Sequence, residues 1–314
     1  MNERGKVLIA APVHHVLSEG LRDAGYELVV REKINRPEAL ELIGDCEGVV
    51  TSTRLILDKE LLDAAPQLQW IGRMGSGMEI IDVDYARARG ISCFSSPEGN
   101  RNAVAEHAVG MLLALTNKIV TSNEEVKNGL WLREENRGME LEGRTIGLIG
   151  FGNTGRAFAK KLKSFDMRIL AYDKYNKDAY PEYVERCDDL QPIFDHAEIV
   201  SLHVPLTTET RNYVNANFLL KMTQAFIVIN TSRGEVVDTS VLRDGLTDKR
   251  IKGACLDVWP EEPLEKMSKA QKAILEEVVK MPQVIITPHI AGYTYEALYK
   301  MSDVLLAKIS ESIS

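Results

Sequence analysis

TIGLIGFGNTGRAFAKKLKSFDMRILAYD (Thr145–Asp173) decides how this chain folds. Thr145–Ile149 is apolar and β-compatible. Gly150, Gly152 and Gly155 follow in G-x-G-x-x-G spacing, Arg156–Phe165 reads as an amphipathic helix, and RILAYD is a second strand ending in Asp173. Strand, glycine turn, helix and a terminal acid together form a dinucleotide fingerprint, where the glycines alone would be weak. Gly150 permits the tight turn, Gly152 lets backbone approach a pyrophosphate, and Gly155 lets helix pack on strand. Asn153 and Thr154 add backbone N–H groups where the helix dipole is positive. Asp173 would accept hydrogen bonds from the adenosine ribose and repel a 2′-phosphate. NAD is therefore expected over NADP, although Lys174 works against that preference.

Strand and helix alternate on both sides of this segment. Lys6–Pro12, Tyr26–Val30, Gly48–Ser52 and Leu68–Gly75 read as strands before it, with helices around Val16–Ala24 and Asp58–Pro66. IVSLHVP, FIVINTS, GACLDVW and VIITPH read as strands after it, and Thr294–Ser314 as a closing helix. Such alternation predicts parallel sheets covered by helices on both faces. Asn102 to about Asn128 reads as one long helix, apolar almost all round and hence buried, crossing between domains or lining a subunit interface. The length of 314 residues favours two domains. The chain is expected to leave the first near residue 99 and return near 287.

A net charge of −8 argues against a general nucleic-acid or anionic-membrane surface. No apolar run reaches membrane-spanning length, and the polar N-terminus does not read as a signal peptide. Cys46, Cys93, Cys187 and Cys255 lack paired or metal-like spacing, so reduced thiols in a cytoplasmic protein, with no metal, are expected.

INTSRGEVVD (Ile229–Asp238), GACLDVWPEEPL (Gly253–Leu264) and ITPHIAGYT (Ile286–Thr294), taken with the glycine loop, resemble the D-isomer-specific 2-hydroxyacid dehydrogenases. IGRMGSGMEIID, GNRNAVAEHAVGMLLAL and SLHVPLT agree, so the likeness covers essentially the whole chain in order. It implies an α/β protein of two doubly wound parallel-sheet domains. A Rossmann NAD-binding domain (99–287) would be inserted into a flavodoxin-like substrate domain (1–98 and 288–314), usually in a homodimer joined through the nucleotide domains. It implies a catalytic set of Arg233, Glu262 and His289, with Glu261 the weaker candidate beside Glu262. His203 and Pro205 match cofactor-lining positions, Thr231 and Ser232 precede the arginine at the same place, and Asp257 matches a nicotinamide-contacting position.

The implied reaction moves a hydride between nicotinamide and C2 of a 2-hydroxy or 2-oxo acid. Histidine titrates near neutrality and serves either direction of proton transfer. Glu262 would orient His289 and stabilise its charged form. Arg233 would bind the substrate carboxylate and polarise the 2-oxo group. RMGSGMEIID (Arg73–Asp82) resembles the family's carboxylate-binding loop, in which Gly75, Ser76, Gly77 and Met78 would form an anion nest. It departs from the family where Glu79-Ile80 stands for the common Asp-Asn. Arg73 and Arg54 would suit a phosphorylated acid. The expected reaction is therefore oxidation of 3-phosphoglycerate to 3-phosphohydroxypyruvate in serine synthesis. A glyoxylate/hydroxypyruvate or other 2-keto-acid reductase is the alternative, and an NAD(H)-binding corepressor-like scaffold the rival from another class. The chain has no room for the serine-sensing domain of longer phosphoglycerate dehydrogenases, so feedback by that route is not expected.

Overall fold

A computed structural model describes residues 4–176 and 178–313. The chain divides into two compact units, one of residues 1–101 and 293–314 and one of residues 102–292.

In the first unit strands and helices alternate as β1 (Lys6–Ile9), α1 (His15–Asp23), β2 (Glu27–Val30), α2 (Arg36–Leu42), β3 (Cys46–Thr51), α3 (Lys59–Asp63), β4 (Trp70–Arg73), α4 (Val83–Ala88) and β5 (Ser92–Ser95). All strand pairs are parallel, in the order β2-β1-β3-β4-β5. This is the flavodoxin-like order. Successive residues serve opposite faces, as the two-residue period of a strand requires. Val7 and Ile9 pack with Leu17, Leu21 and Trp70, whereas Leu8 joins Val49, Ile71, Leu61 and Leu62.

The second unit contains α5 (Pro97–Thr116, entering from the first), α6 (Ile119–Lys127), β6 (Thr145–Ile149), α7 (Asn153–Leu162), β7 (Arg168–Tyr172), β8 (Glu185–Cys187), α8 (Gln191–His196) and β9 (Ile199–Leu202). It continues with α9 (Ala216–Lys221), β10 (Phe226–Asn230), α10 (Thr239–Thr247), β11 (Ile251–Leu256), α11 (Lys269–Val278) and β12 (Val284–Ile286). The closing helix α12 (Tyr295–Ile313) returns to the first unit, where Leu305 and Ile309 pack on Val7, Ile9 and Trp70. The seven-stranded parallel sheet runs β12-β11-β10-β9-β6-β7-β8. Its strand order reverses between β6 and β9, the place where ligands of open α/β sheets bind, beyond the carboxyl ends of the strands.

Three expectations change. The single helix expected over 102–128 is two helices bent by 59°. Lys118 takes a left-handed φ of 52°, and the Thr116 carbonyl accepts the Met139 N–H at 2.9 Å rather than continuing the helix. The crossings expected at 98/99 and 287/288 lie a few residues later. Lys308 Nζ holds both carboxylate oxygens of Glu98 at 3.0 and 2.9 Å, keeping the first turn of α5 with the first unit. On the return, the buried Asp257 carboxylate accepts the N–H groups of Ile290 and Ala291, so His289 belongs to the second unit. Among the described residues no single helix is long and apolar enough to cross a membrane.

Candidate active site

The glycine loop leaves β6 with Gly150 at φ 92°. A Cβ there would lie 2.4 Å from the carbonyl oxygen of His203, and one on Gly155 would lie 2.4 Å from that of Gly150. Both positions are closed to any side chain. A Cβ on Gly152 would meet nothing within 4 Å, so backbone is exposed to open space beside the N-terminus of α7. Asp173, just beyond β7, accepts the Phe151 N–H at 2.7 Å and the N–H groups of Tyr175 and Asn176, each at 2.9 Å. A carboxylate has about four acceptor directions, so one is left for a ribose. Lys174 is held by Glu209 at 2.7 Å.

His203 follows β9. Its Nε2 meets Ser201 Oγ at 3.0 Å and its ring packs 5.4 Å from that of Phe158. Its carbonyl, not its ring, therefore addresses the glycine loop, and Pro205 supplies a carbonyl to the Thr210 hydroxyl at 2.6 Å. Burial lowers the His203 pKa from 6.5 to about 4. The unfolded state takes up a proton near pH 6.5, before the folded state does, so the ring's contribution destabilises the fold progressively from there down to about pH 4. His203→Leu should flatten that part of the stability–pH curve in urea denaturation. Equal slopes for the two proteins would contradict it.

Asn230, 1% exposed at the end of β10, organises the next turn. Its Oδ1 accepts the N–H and Oγ–H of Ser232 at 3.0 and 2.8 Å, and its Nδ2 donates to the Arg233 carbonyl at 2.9 Å. Arg233 Nη1 donates to the Ser232 carbonyl at 2.6 Å. Thr231 Oγ1 is buried and unpartnered. A Cβ on Gly234 would fall 2.1 Å from the Trp259 carbonyl carbon. That approach brings the arginine turn against the Asp257–Glu262 segment.

Asp257 is 1% exposed. Its carboxylate accepts the Thr287 hydroxyl at 2.6 Å and the N–H groups of Ile290 and Ala291 at 2.9 and 2.8 Å, while its carbonyl accepts the His289 N–H at 2.8 Å. It is thus mainly a support for the histidine loop, with one acceptor direction remaining. His289 sits at φ 55°, where a side chain is costly to hold and is retained only if its surroundings impose it. Its Nδ1 is hydrogen-bonded to Glu262 Oε1. The two side chains stay 40% and 37% exposed, so Nε2 is left accessible. The neighbouring Glu261 accepts the Ser268 N–H at 2.7 Å at the start of α11, which lowers its pKa. Glu262 alone of the two acids meets the imidazole.

In the first unit, the loop after β4 differs from expectation. Gly75, at φ 137°, donates its N–H to Ser96 Oγ at 3.0 Å, so it is spent within the protein, while those of Ser76, Gly77 and Met78 have no partner among the described residues. Arg73 is 6% exposed, its Nη1 hydrogen-bonded to the Met74 carbonyl and lying against Gly75. Arg73 thus ends its buried strand with the guanidinium packed against the same loop. Arg54 is exposed and, among the described residues, has no partner.

The second unit therefore brings together the glycine loop, the Arg233 turn, Asp257, Glu262 and His289, all at the carboxyl ends of its strands. Sequence reading missed Asn230, Thr287 and His107. Asn230 directly precedes the TSRG stretch and Thr287 the Pro-His pair, but only their partners reveal what they do. The open space at Gly152, the N-terminus of α7, Asp173 and the orphaned Thr231 hydroxyl fit a dinucleotide.

The sequence pattern of the D-isomer specific 2-hydroxyacid dehydrogenase, NAD binding domain, matches residues 109–291. The glyoxylate reductase of Thermofilum pendens is 38% identical over 275 residues, 86% of this chain and 79% of that protein. The D-3-phosphoglycerate dehydrogenase of Archaeoglobus fulgidus is 33% identical over 93% of this chain, which spans 54% of that longer protein. The NADPH-dependent glyoxylate/hydroxypyruvate reductase of Sinorhizobium meliloti, solved with NADP and malonate, superposes with a TM-score of 0.82 at 27% identity, covering 99% of this chain and 94% of that one.

Proposed function

The chain belongs to the D-isomer specific 2-hydroxyacid dehydrogenase family, and from that premise we propose that it interconverts a small D-2-hydroxy acid and its 2-oxo acid with NAD(H), the oxo acid being of the glyoxylate or hydroxypyruvate class. The observation that carries this reading is the Glu262–His289 pair, with Nε2 open. Bound nicotinamide supplies or accepts the hydride at C2. His289 Nε2 takes the hydroxyl proton during oxidation and returns it during reduction, while Glu262 orients the ring through Nδ1. Arg233 binds the carboxylate and polarises the 2-oxo oxygen. The glycine loop, with Asn153 and Thr154, takes the pyrophosphate. The Thr231 hydroxyl, Ser232, the backbone at His203 and Pro205, and the remaining acceptor of Asp257 line the nicotinamide end. Ser76, Gly77 and Met78 offer N–H groups to an anionic end of the substrate, on a loop that Gly75 and Arg73 support.

NAD is favoured because Asp173 stands beyond β7 and Lys174 is held by Glu209. The unphosphorylated acid is favoured because Arg73 is folded under its loop. The exposed Arg54 supports a second reading, 3-phosphoglycerate oxidised to 3-phosphohydroxypyruvate. The exposed apolar residues Ile119, Val120, Val126, Leu130 and Trp131 suit a homodimer formed through the second unit. The unpaired cysteines suit the cytoplasm.

Initial rates with NADH and NADPH against glyoxylate, hydroxypyruvate, phosphohydroxypyruvate and pyruvate test the proposal. NADH should give at least about tenfold higher kcat/KM, the difference that about 1.4 kcal/mol at one charged contact produces. Hydroxypyruvate or glyoxylate should outrun the phosphorylated acid. The reverse substrate order, lost on Arg54→Ala, would establish the second reading. Tight NADH binding without turnover of any acid would favour a scaffold.

A further inference from the structure

We propose that His107, on α5, is a positioning residue that sets the placement of the His289 imidazole through Thr287 and Asp257. It rests on the reading of His289 as the proton-transferring group. His107 Nε2 lies 3.0 Å from Thr287 Oγ1 and 3.6 Å from Asp257 Oδ1. A threonine hydroxyl has a single proton to give. Thr287 gives it to Asp257 Oδ1 at 2.6 Å, because its other acceptor, Met111 Sδ at 3.9 Å, is distant and weak. His107 must therefore be the donor to Thr287 and carry a proton on Nε2. The chain of donation is then directional, from His107 Nε2–H to Thr287 Oγ–H to the Asp257 carboxylate.

That carboxylate is the anchor of the histidine loop. It accepts the N–H groups of Ile290 and Ala291, and the same residue's carbonyl accepts that of His289. A residue at φ 55° keeps its conformation only while its neighbours impose it. The orientation of Asp257 consequently reaches the imidazole directly. His107 is the far end of this chain and is 180 residues away from Thr287 in sequence. Its side chain is 23% exposed against 1% for Asp257, so it also brings a polar group to a nearly water-free carboxylate.

The test compares His107→Leu, His107→Gln, Thr287→Val and the His107→Leu/Thr287→Val double variant. Leucine keeps the bulk and removes the donor, whereas glutamine keeps an N–H. His107→Leu should lower kcat by about 10- to 100-fold, the loss that a small displacement of a reacting group produces. KM for the acid and the NADH dissociation constant, read by nicotinamide fluorescence, should stay unchanged. His107→Gln should recover most of kcat, and Thr287→Val should match His107→Leu. The double variant should be no worse than either single, since both break one chain. Wild-type kcat in His107→Leu overturns the inference, as does a His107→Gln variant as poor as leucine, or additive losses. If His289→Gln kept its activity, the reading of His289 would fail. If His289→Gln were inactive while His107→Leu was unaffected, only the role of His107 would fail.

Discussion

His289→Gln is expected to lower kcat/KM for the preferred 2-oxo acid by about 1,000-fold, the middle of the range for a positioned general acid or base. Glutamine can still hydrogen-bond Glu262 but cannot cycle a proton near neutral pH. The loss should fall mainly on kcat, because the ring's proton is needed in the transition state rather than for binding. NADH affinity should be unaffected, since the glycine loop, α7 and Asp173 are untouched. Glu262→Gln should cost less, leaving a proton-transferring ring with a poorer orientation. A His289→Gln enzyme within tenfold of wild type (a loss of only about 1.4 kcal/mol) would remove this residue from the chemistry.

Arg233→Lys is expected to lose about 100- to 1,000-fold in kcat/KM, the range measured when one preorganised charge-stabilising donor is removed. Lysine keeps the charge but not the planar fork that matches a carboxylate. Asn230 and Ser232 would still build the turn, so the fold and NADH binding should survive. Both KM and kcat should change if, as proposed, the guanidinium serves the bound carboxylate and the developing charge at the 2-oxo oxygen together. A change in KM alone would mean that Arg233 binds the acid without stabilising the reaction, and the polarising role would be withdrawn.

Much of the fold could be read along the chain, for a local reason. Buried parallel strands are short apolar runs, and the helices between them carry amphipathic periods, so TIGLIG, FIVINTS and GACLDVW read as strands, and strands stand there at Thr145–Ile149, Phe226–Asn230 and Ile251–Leu256. Ends and breaks were less legible. The bend at Lys118 depends on a hydrogen bond from Met139, which no helical period within residues 102–128 encodes. The same limit applies at the site. Two adjacent acids at 261 and 262 are equivalent as sequence, and they separate only because one accepts the Ser268 N–H and the other meets His289. Nor does the sequence place the Arg73 guanidinium, which lies against Met74 and Gly75.

By itself the sequence determined the parallel α/β class, the glycine turn and its acid, and the residue types able to carry proton and hydride chemistry. Those properties are written in nearest neighbours: period, turn geometry and side-chain chemistry. Only the tertiary structure decided which acid faces the imidazole, which arginine is buried, and that Asn230 holds the Arg233 turn while Thr287 and His107 line up on Asp257. Partners such as His107 and Thr287 are joined by hydrogen bonds whose worth depends on ångström-scale distance and burial, and the folded backbone sets both.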